Sequence, residues 1–233
     1  MTRDESHTTA TDLPFVTVKY AQTLDGRVAT ATGDSQWISG PDSLRLAHQL
    51  RAEHDAILVG IGTVLADDPQ LNVRLASGRD PLRVVVDSRL RTPLTARVLA
   101  NGAAHHTLIA TTSHADRAAR QAIERLGAQV VALPASAGSA AVDLRLLLGE
   151  LRARGVASVL VEGGARIITS LLTRQLVDRL VVAIAPKLIG SGTDAIGDLG
   201  IRRLAEALTF STFITSRLGD DLIFDGRIAW QDD

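Results

Sequence analysis

The stretch SVLVEGGARIITSLL, residues 158–172, decides how this chain is read. Residues 158–161 have strand character and run straight into a carboxylate, Glu162. Gly163 and Gly164 follow, and then an apolar segment with helical spacing. A buried strand, a charge, a double glycine and a helix are the parts of a strand–turn–helix unit. In open α/β sheets ligands lie off the carboxyl ends of the strands. A new helix N-terminus also presents free N–H groups that suit phosphate. The stretch therefore points to a site. On a packing reading, Glu162 would merely cap or brace the turn.

The same alternation extends in both directions. Strands are expected at 15–22, 55–62, 81–88, 106–113, 128–134 and 178–190. Helices are expected at 39–54, with Ser39 or Gly40 as N-cap and Pro41 in the first turn, at 114–127, closed by Gly127, and at 142–155. Two antiparallel strands are expected around Gly219-Asp220 near the C-terminus. Alternating strands and helices that end in paired strands predict an α/β protein: three layers, with a mainly parallel mixed sheet and an antiparallel C-terminal hairpin. Residues 1–13 read as a polar tail and 14–233 as one domain.

Composition excludes several classes. The 233 residues carry a formal net charge of −1, so bulk attraction to nucleic acid or to anionic membranes is not expected. Seven aromatic residues are too few for base-stacking platforms. There is no cysteine, which removes disulfides, thiolate nucleophiles and cysteine-based metal sites. No apolar run is long enough for a transmembrane helix, and the N-terminus lacks a signal-peptide core. A cytoplasmic protein is expected.

Among the motifs, VGIGTVL (59–65) misses the dinucleotide fingerprint, because Leu65 stands at the third glycine position and Asp67-Asp68-Pro69 stops any helix after about a turn. The six histidines lack metal-ligand spacing and read as surface residues, and no metal is expected. Lys19 shares a strand face with Phe15 and Thr17, so it either snorkels or reaches into a cleft. Arg51 lies at the edge of the stripe Leu44, Ala47 and Leu50, with Arg74 beyond the Asp-Asp-Pro turn. Two arginines suit phosphate, whose oxygens match the guanidinium fork, but a pair of surface charges would look the same.

The segments LDGRVATATGDSQWIS (24–39), LRAEHDAILVGIGTVLADDPQLNVR (50–74), VVVDS (84–88), VLVEGGARIITSLL (159–172) and APKLIG (185–190) resemble the reductase domain of the bifunctional riboflavin-biosynthesis deaminase–reductase family. The likeness runs from about Phe15 to Trp230. It implies a dihydrofolate-reductase-like fold, NADPH as cofactor and a homodimer. The implied reaction reduces the ribosyl group of a 5-amino-6-(5-phosphoribosylamino)uracil, or of its undeaminated diaminopyrimidinone form, to a ribityl chain. Ser35, Arg51, Leu71, Arg74 and Glu162 match the family's substrate positions, and Lys19 matches a pocket lysine, with Lys19 and Glu162 nearest the chemistry. Ala21, Trp37, Thr63, Asp67 and Ser88 match its cofactor positions, as does the run Gly163, Gly164, Ala165, Arg166, Ile167, Ile168, Thr169 and Ser170.

Several expectations follow from the likeness. Arg51 and Arg74 would act chiefly on the substrate phosphate. Glu162 would face the pyrimidine edge or a sugar hydroxyl, so that Glu162→Gln would lower turnover and leave stability nearly unchanged. NADPH would be preferred over NADH through Ser88, which matches the family, and, beyond that match, through the hydroxyls and N–H groups of Thr111-Thr112-Ser113 at a helix start and the charge of Arg89 or Arg91. The zinc deaminase half is not expected in a chain without cysteine. Two other readings stay open: a related pteridine or dihydrofolate reductase on the same fold, and a non-catalytic NADPH-binding module.

Overall fold

The computed structural model describes residues 12–230. The polar tail expected at 1–13 lies outside them except for its last two residues. The main sheet has nine strands. Its centre is β1 (Phe15–Thr23), flanked by β7 (Ser158–Glu162) and β8 (Arg179–Ala185), both parallel to it. Beyond β7 come β3 (Ala56–Gly60), β4 (Leu82–Val86), β5 (Thr107–Thr112) and β6 (Gln129–Leu133), all parallel. Beyond β8 lies β11 (Asp221–Ala229), antiparallel to it, and then the edge strand β10 (Thr209–Leu218), antiparallel to β11. The mixed sheet and its C-terminal hairpin follow the sequence pattern.

Side-chain alternation assigns the two faces. Val16, Val18 and Tyr20 of β1 and Val159 and Val161 of β7 pack with the apolar stripes of α4 (Leu144–Ala153) and α5 (Ala165–Thr173). The opposite face carries α1 (Pro41–Glu53), whose Leu50 meets Leu160, Val181 and Ala183. Farther along that face, α2 (Ile61–Asp67) and α3 (Arg117–Arg125) pack on Ile57, Val59, Val85 and Ile109. Helices on both faces give the three layers. By the same alternation Thr17, Lys19, Leu160 and Glu162 fall on the α1 side.

Several expectations need correction. The helix after β3 runs for seven residues, not one turn, and stops where Asp68 turns left-handed. The strand expected to reach 190 ends at Ala185, because Pro186 cannot donate to the ladder. A two-stranded sheet of β2 (Arg27–Thr30) and β9 (Gly192–Asp194) was not legible, since both strands are very short and pair across most of the chain. Gly40 is the N-cap of α1 and offers no side chain; Asp221 from the hairpin instead accepts the Gly40 N–H at 2.8 Å and the Ser43 hydroxyl at 2.5 Å. His48 and His54 are not on the surface but buried. His54 makes this possible through both ring nitrogens, Nδ1 with the Leu50 carbonyl at 2.6 Å and Nε2 with the Thr17 hydroxyl at 2.9 Å.

Candidate active site

Strand register sets the first pair. Lys19 and Glu162 are direct neighbours on the parallel strands β1 and β7 and point to the same face. Above them α1 lowers Arg51. Its Nε donates to Glu162 Oε1 at 2.7 Å and its Nη2 to Oε2 at 2.6 Å, a two-pronged ion pair between side chains that are 9% and 15% exposed. Arg51 Nη1 reaches the Asn72 carbonyl at 3.1 Å. Helix, strand and the loop after α2 are thereby joined at one guanidinium, that of Arg51.

The charges here are shifted by their setting. Burial pushes the Glu162 carboxyl up, but Arg51, its hydrogen bonds and the Lys19 charge outweigh that and hold it below the usual carboxylate range. Burial lowers the Lys19 ammonium, with Glu162 opposing and Arg51 reinforcing the shift. Lys19 makes no hydrogen bond among the described residues. A buried, unbonded ammonium beside an occupied carboxylate is a donor that a bound molecule can use. Arg74 is exposed; partial burial and the charges of Arg51 and Arg97 make its own charge harder to hold. An anion would relieve that repulsion.

These contacts revise two expectations. The fork of Arg51 grips Glu162, so a phosphate would meet Arg74 rather than that fork. Glu162 is a structural brace as well as a polar group in the cleft, so its replacement is not expected to leave stability untouched.

Next to this cluster two strand–helix turns face one another. A Cβ on Gly60, at the start of α2, would lie 3.0 Å from Ile167 of α5. A Cβ on Gly163 or Gly164 would lie 3.7 or 3.6 Å from the Thr63 hydroxyl of α2. Gly163 and Gly164 have φ of +74° and +80°, a region that side chains strain to enter. No side chain caps α5; Ile167 N–H turns back to the Gly164 carbonyl at 2.8 Å, which leaves the N–H groups of Ala165 and Arg166 for a ligand. An open groove of about 350 Å³ runs alongside, lined by Ala165, Arg166, Thr169, Ser170, Asp194 and Gly197. A bare double glycine, an uncapped helix and a flanking hydroxyl fit the diphosphate of a dinucleotide.

Not every expected residue lines this cleft. The Ser35 hydroxyl meets Asp67 at 3.3 Å, and the Trp37 side chain is exposed while its carbonyl accepts Lys187 Nζ at 2.6 Å. Leu71 is buried with φ of +53° and Ala21 is half-buried. Ile168 belongs to the core, which leaves only its backbone for a ligand. Ser88 follows β4, and its hydroxyl accepts the Val142 N–H at 3.1 Å. Thr111 and Thr112 are buried, Thr112 donates to the Ser88 carbonyl, and α3 is capped by Asp116; of the three expected hydroxyls at this helix start, only that of Ser113 is on an exposed residue. The sequence reading missed His48, whose Nδ1 accepts the Arg74 N–H at 3.2 Å. Its spacing of three from Arg51 on one helix was the available signal.

Comparison with known proteins decides the family, for the RibD C-terminal domain matches residues 14–224. The chain belongs to that family. A 2,5-diamino-6-ribosylamino-4(3H)-pyrimidinone 5′-phosphate reductase from Methanothermobacter thermautotrophicus is 44% identical over 218 residues, 91% of this chain and 97% of that protein. The riboflavin biosynthesis protein RibD of Aquifex aeolicus is 40% identical over 211 residues, 90% of this chain but 56% of that protein. The chain thus spans little more than half the length of the RibD proteins it matches. Acinetobacter baumannii RibD superposes with a TM-score of 0.81 at 30% identity, covering 94% of this chain and 59% of that one. Dihydrofolate reductase from Enterococcus faecalis, at 10% identity and a TM-score of 0.50, covers 92% of this chain and 94% of that one, and shares the fold alone. The RibD C-terminal domain thus carries the dihydrofolate-reductase-like architecture that the sequence led us to expect.

Proposed function

We propose that the chain is an NADPH-dependent reductase of riboflavin biosynthesis. It would convert the ribosyl group of a 5-amino-6-(5-phosphoribosylamino)uracil, or of its undeaminated diaminopyrimidinone form, to a ribityl chain. The observation that carries this reading is the unbonded Lys19 ammonium beside the Arg51–Glu162 pair, one strand from the Gly163-Gly164 turn. A polar cluster for a sugar and a bare turn for a diphosphate sit edge to edge.

When bound, the cofactor supplies the hydride delivered to the anomeric carbon. Gly163, Gly164, Ala165 and Thr63 would hold its diphosphate. Lys19 presents N–H donors to the sugar. Arg74 receives the 5′-phosphate. Glu162, with Arg51 fixing its orientation, leaves its remaining lone pairs to a pyrimidine N–H or a sugar hydroxyl. These groups stand on strands and helices, which suits holding the reacting carbons in contact. Preference for NADPH over NADH would rest on the exposed Arg89 and Arg91 after β4. The full-length match to a protein named as the diaminopyrimidinone phosphate reductase favours the undeaminated substrate.

We further propose a homodimer in the cytoplasm. The edge strand β10 leaves Phe213 and Ile214 more than half exposed, an apolar edge that a second copy would cover. Among the described residues no helix is long and apolar enough to cross a membrane.

The test follows oxidation of NADPH and of NADH with the amino substrate, the deaminated substrate and dihydrofolate in parallel. Turnover of either ribosylaminopyrimidine, with NADPH ahead, is expected. Turnover of dihydrofolate alone would move the chain to the pteridine reading. Binding without turnover of any of them would leave a nucleotide-binding module.

A further inference from the structure

Helix α1 presents two polar side chains, one turn apart, to the same short segment. Arg51 Nη1 donates to the Asn72 carbonyl at 3.1 Å, and His48 Nδ1 accepts the Arg74 N–H at 3.2 Å. Between them Asp80 accepts the Val73 N–H at 2.8 Å through Oδ1 and Arg83 Nη2 at 2.7 Å through Oδ2. Residues 68–81 contain no helix or strand, so these side chains replace the ladder bonds that would otherwise fix the backbone. His48 holds the Arg74 backbone, while the Arg74 guanidinium donates from Nη1 to the Asn72 side-chain oxygen at 3.1 Å.

His48 is poorly placed for stability alone. Its side chain is fully buried, and because Nδ1 accepts, the ring proton sits on Nε2, which has no partner among the described residues. A buried N–H without an acceptor is a cost that an apolar side chain of similar size would avoid. What the ring supplies, and an apolar side chain cannot, is the acceptor for Arg74. The Arg74 guanidinium lies on an exposed surface with one hydrogen bond among the described residues, to Asn72 Oδ1, and fixing its backbone root narrows the space it searches further.

We propose that His48 is a positioning residue: by accepting the Arg74 N–H it fixes the backbone from which the Arg74 guanidinium meets the substrate's 5′-phosphate. This rests on the reading of Arg74 as the phosphate ligand. It makes phosphate recognition depend on a side chain that touches no substrate.

The test uses the full chain and compares kcat/KM for the phosphorylated substrate with that for its dephosphorylated counterpart. The variants are His48→Asn, His48→Gln, Arg74→Ala and the double variant His48→Gln/Arg74→Ala. Asparagine places its Oδ1 where Nδ1 stands; glutamine fills the ring's reach but offers no acceptor at that position. The ratio of the two kcat/KM values is expected to fall about 3- to 10-fold in His48→Gln. It should recover in His48→Asn, and in the double variant fall no further than in Arg74→Ala. A purely structural histidine would lower both substrates together and leave the ratio alone. An unchanged ratio in His48→Gln, with a collapsed ratio in Arg74→Ala, overturns the proposal; so do losses that simply add. An unchanged ratio in Arg74→Ala overturns the phosphate reading first, and this proposal with it.

Discussion

Arg51 holds both oxygens of Glu162 at once, at 2.7 and 2.6 Å, from 111 residues away in the chain. The pair is nearly buried, and removing one partner would leave the other charged in a dry setting. Glu162→Gln keeps one acceptor and loses the charge. It is expected to lower stability by about 3 kcal/mol and turnover by at least ~10-fold. Chemical denaturation and steady-state rates on the same preparation check both. Unchanged stability would mean that Arg51 finds another anion, and an unchanged rate that Glu162 only braces the turn.

The two arginines should now separate. Arg74 is exposed and among the described residues carries no ion pair with a carboxylate, so Arg74→Ala should leave the melting temperature within a degree or two, as surface changes usually do. Its KM for the phosphorylated substrate should rise about 10- to 100-fold, the loss of one charge-assisted hydrogen bond. Arg51→Ala should do the opposite and destabilise the fold, by abandoning the buried Glu162 carboxylate. Identical effects from the two changes would contradict this division.

Acid should loosen the protein through its buried histidines. Burial, with the charges of Arg51 and Arg74 nearby, lowers the His48 pKa from 6.5 to about 4. Burial also lowers that of His54. In this window the unfolded chain takes up protons that the folded one refuses, so stability rises with pH. It should be complete above about 6.5 and be lost progressively as pH falls toward about 4. Urea midpoints between those values should slope upward with pH, and the slope should be shallower in His48→Asn. A flat profile would show that His48 charges freely in the folded state.

How much of this was legible depends on the range of the interaction. Strand and helix types followed local pattern, and Glu162 stood out because a charge ends an apolar strand in front of two glycines. The Lys19 face followed from simple alternation. Pairings across the chain left no local trace: Glu162 with Arg51, Asp221 over the start of α1, β2 with β9. His48 was misread for a chemical reason. A histidine counts as polar in any hydropathy pattern, yet a neutral ring with one acceptor in use sits in a core. The helix stripe that runs through Leu44, His48 and Arg51 becomes visible as buried only once the Asn72–Arg74 segment is folded against it.

The glycine turn gives a prediction about the cofactor side. Gly164 sits at φ of +80°, and a methyl group there would come to 3.6 Å from the Thr63 hydroxyl, ordinary contact rather than a clash. Gly164→Ala is therefore expected to fold, losing about 1–2 kcal/mol to backbone strain. The methyl would stand where the backbone must approach the diphosphate, so KM for the cofactor should rise by at least ~10-fold, with less effect on KM for the pyrimidine. Thermal melts with and without NADPH read both quantities; an undiminished NADPH-induced shift in the variant would remove the turn from the cofactor site.

Lys19 offers the sharpest contrast between stability and function. Its ammonium is buried at the centre of the sheet, desolvation lowers its pKa, and no hydrogen bond compensates. Nor do its neighbours need it. Glu162 is already gripped by Arg51, and Asp221 already accepts Gly40 and Ser43. Replacing a desolvated charge that makes no hydrogen bond by an apolar side chain of similar length removes a cost to the fold. Lys19→Met should therefore melt at the same temperature or higher. If the ammonium serves the sugar, the same change should lower kcat by about 100-fold or more, the usual scale for a positioned proton-handling group. Lys19→Arg keeps a cation but enlarges the head in a confined space, and is expected to recover little of the rate. Opposite signs for stability and rate identify a group held in place for chemistry at a cost to the fold. A variant that melts lower and turns over normally would instead make Lys19 part of the scaffold.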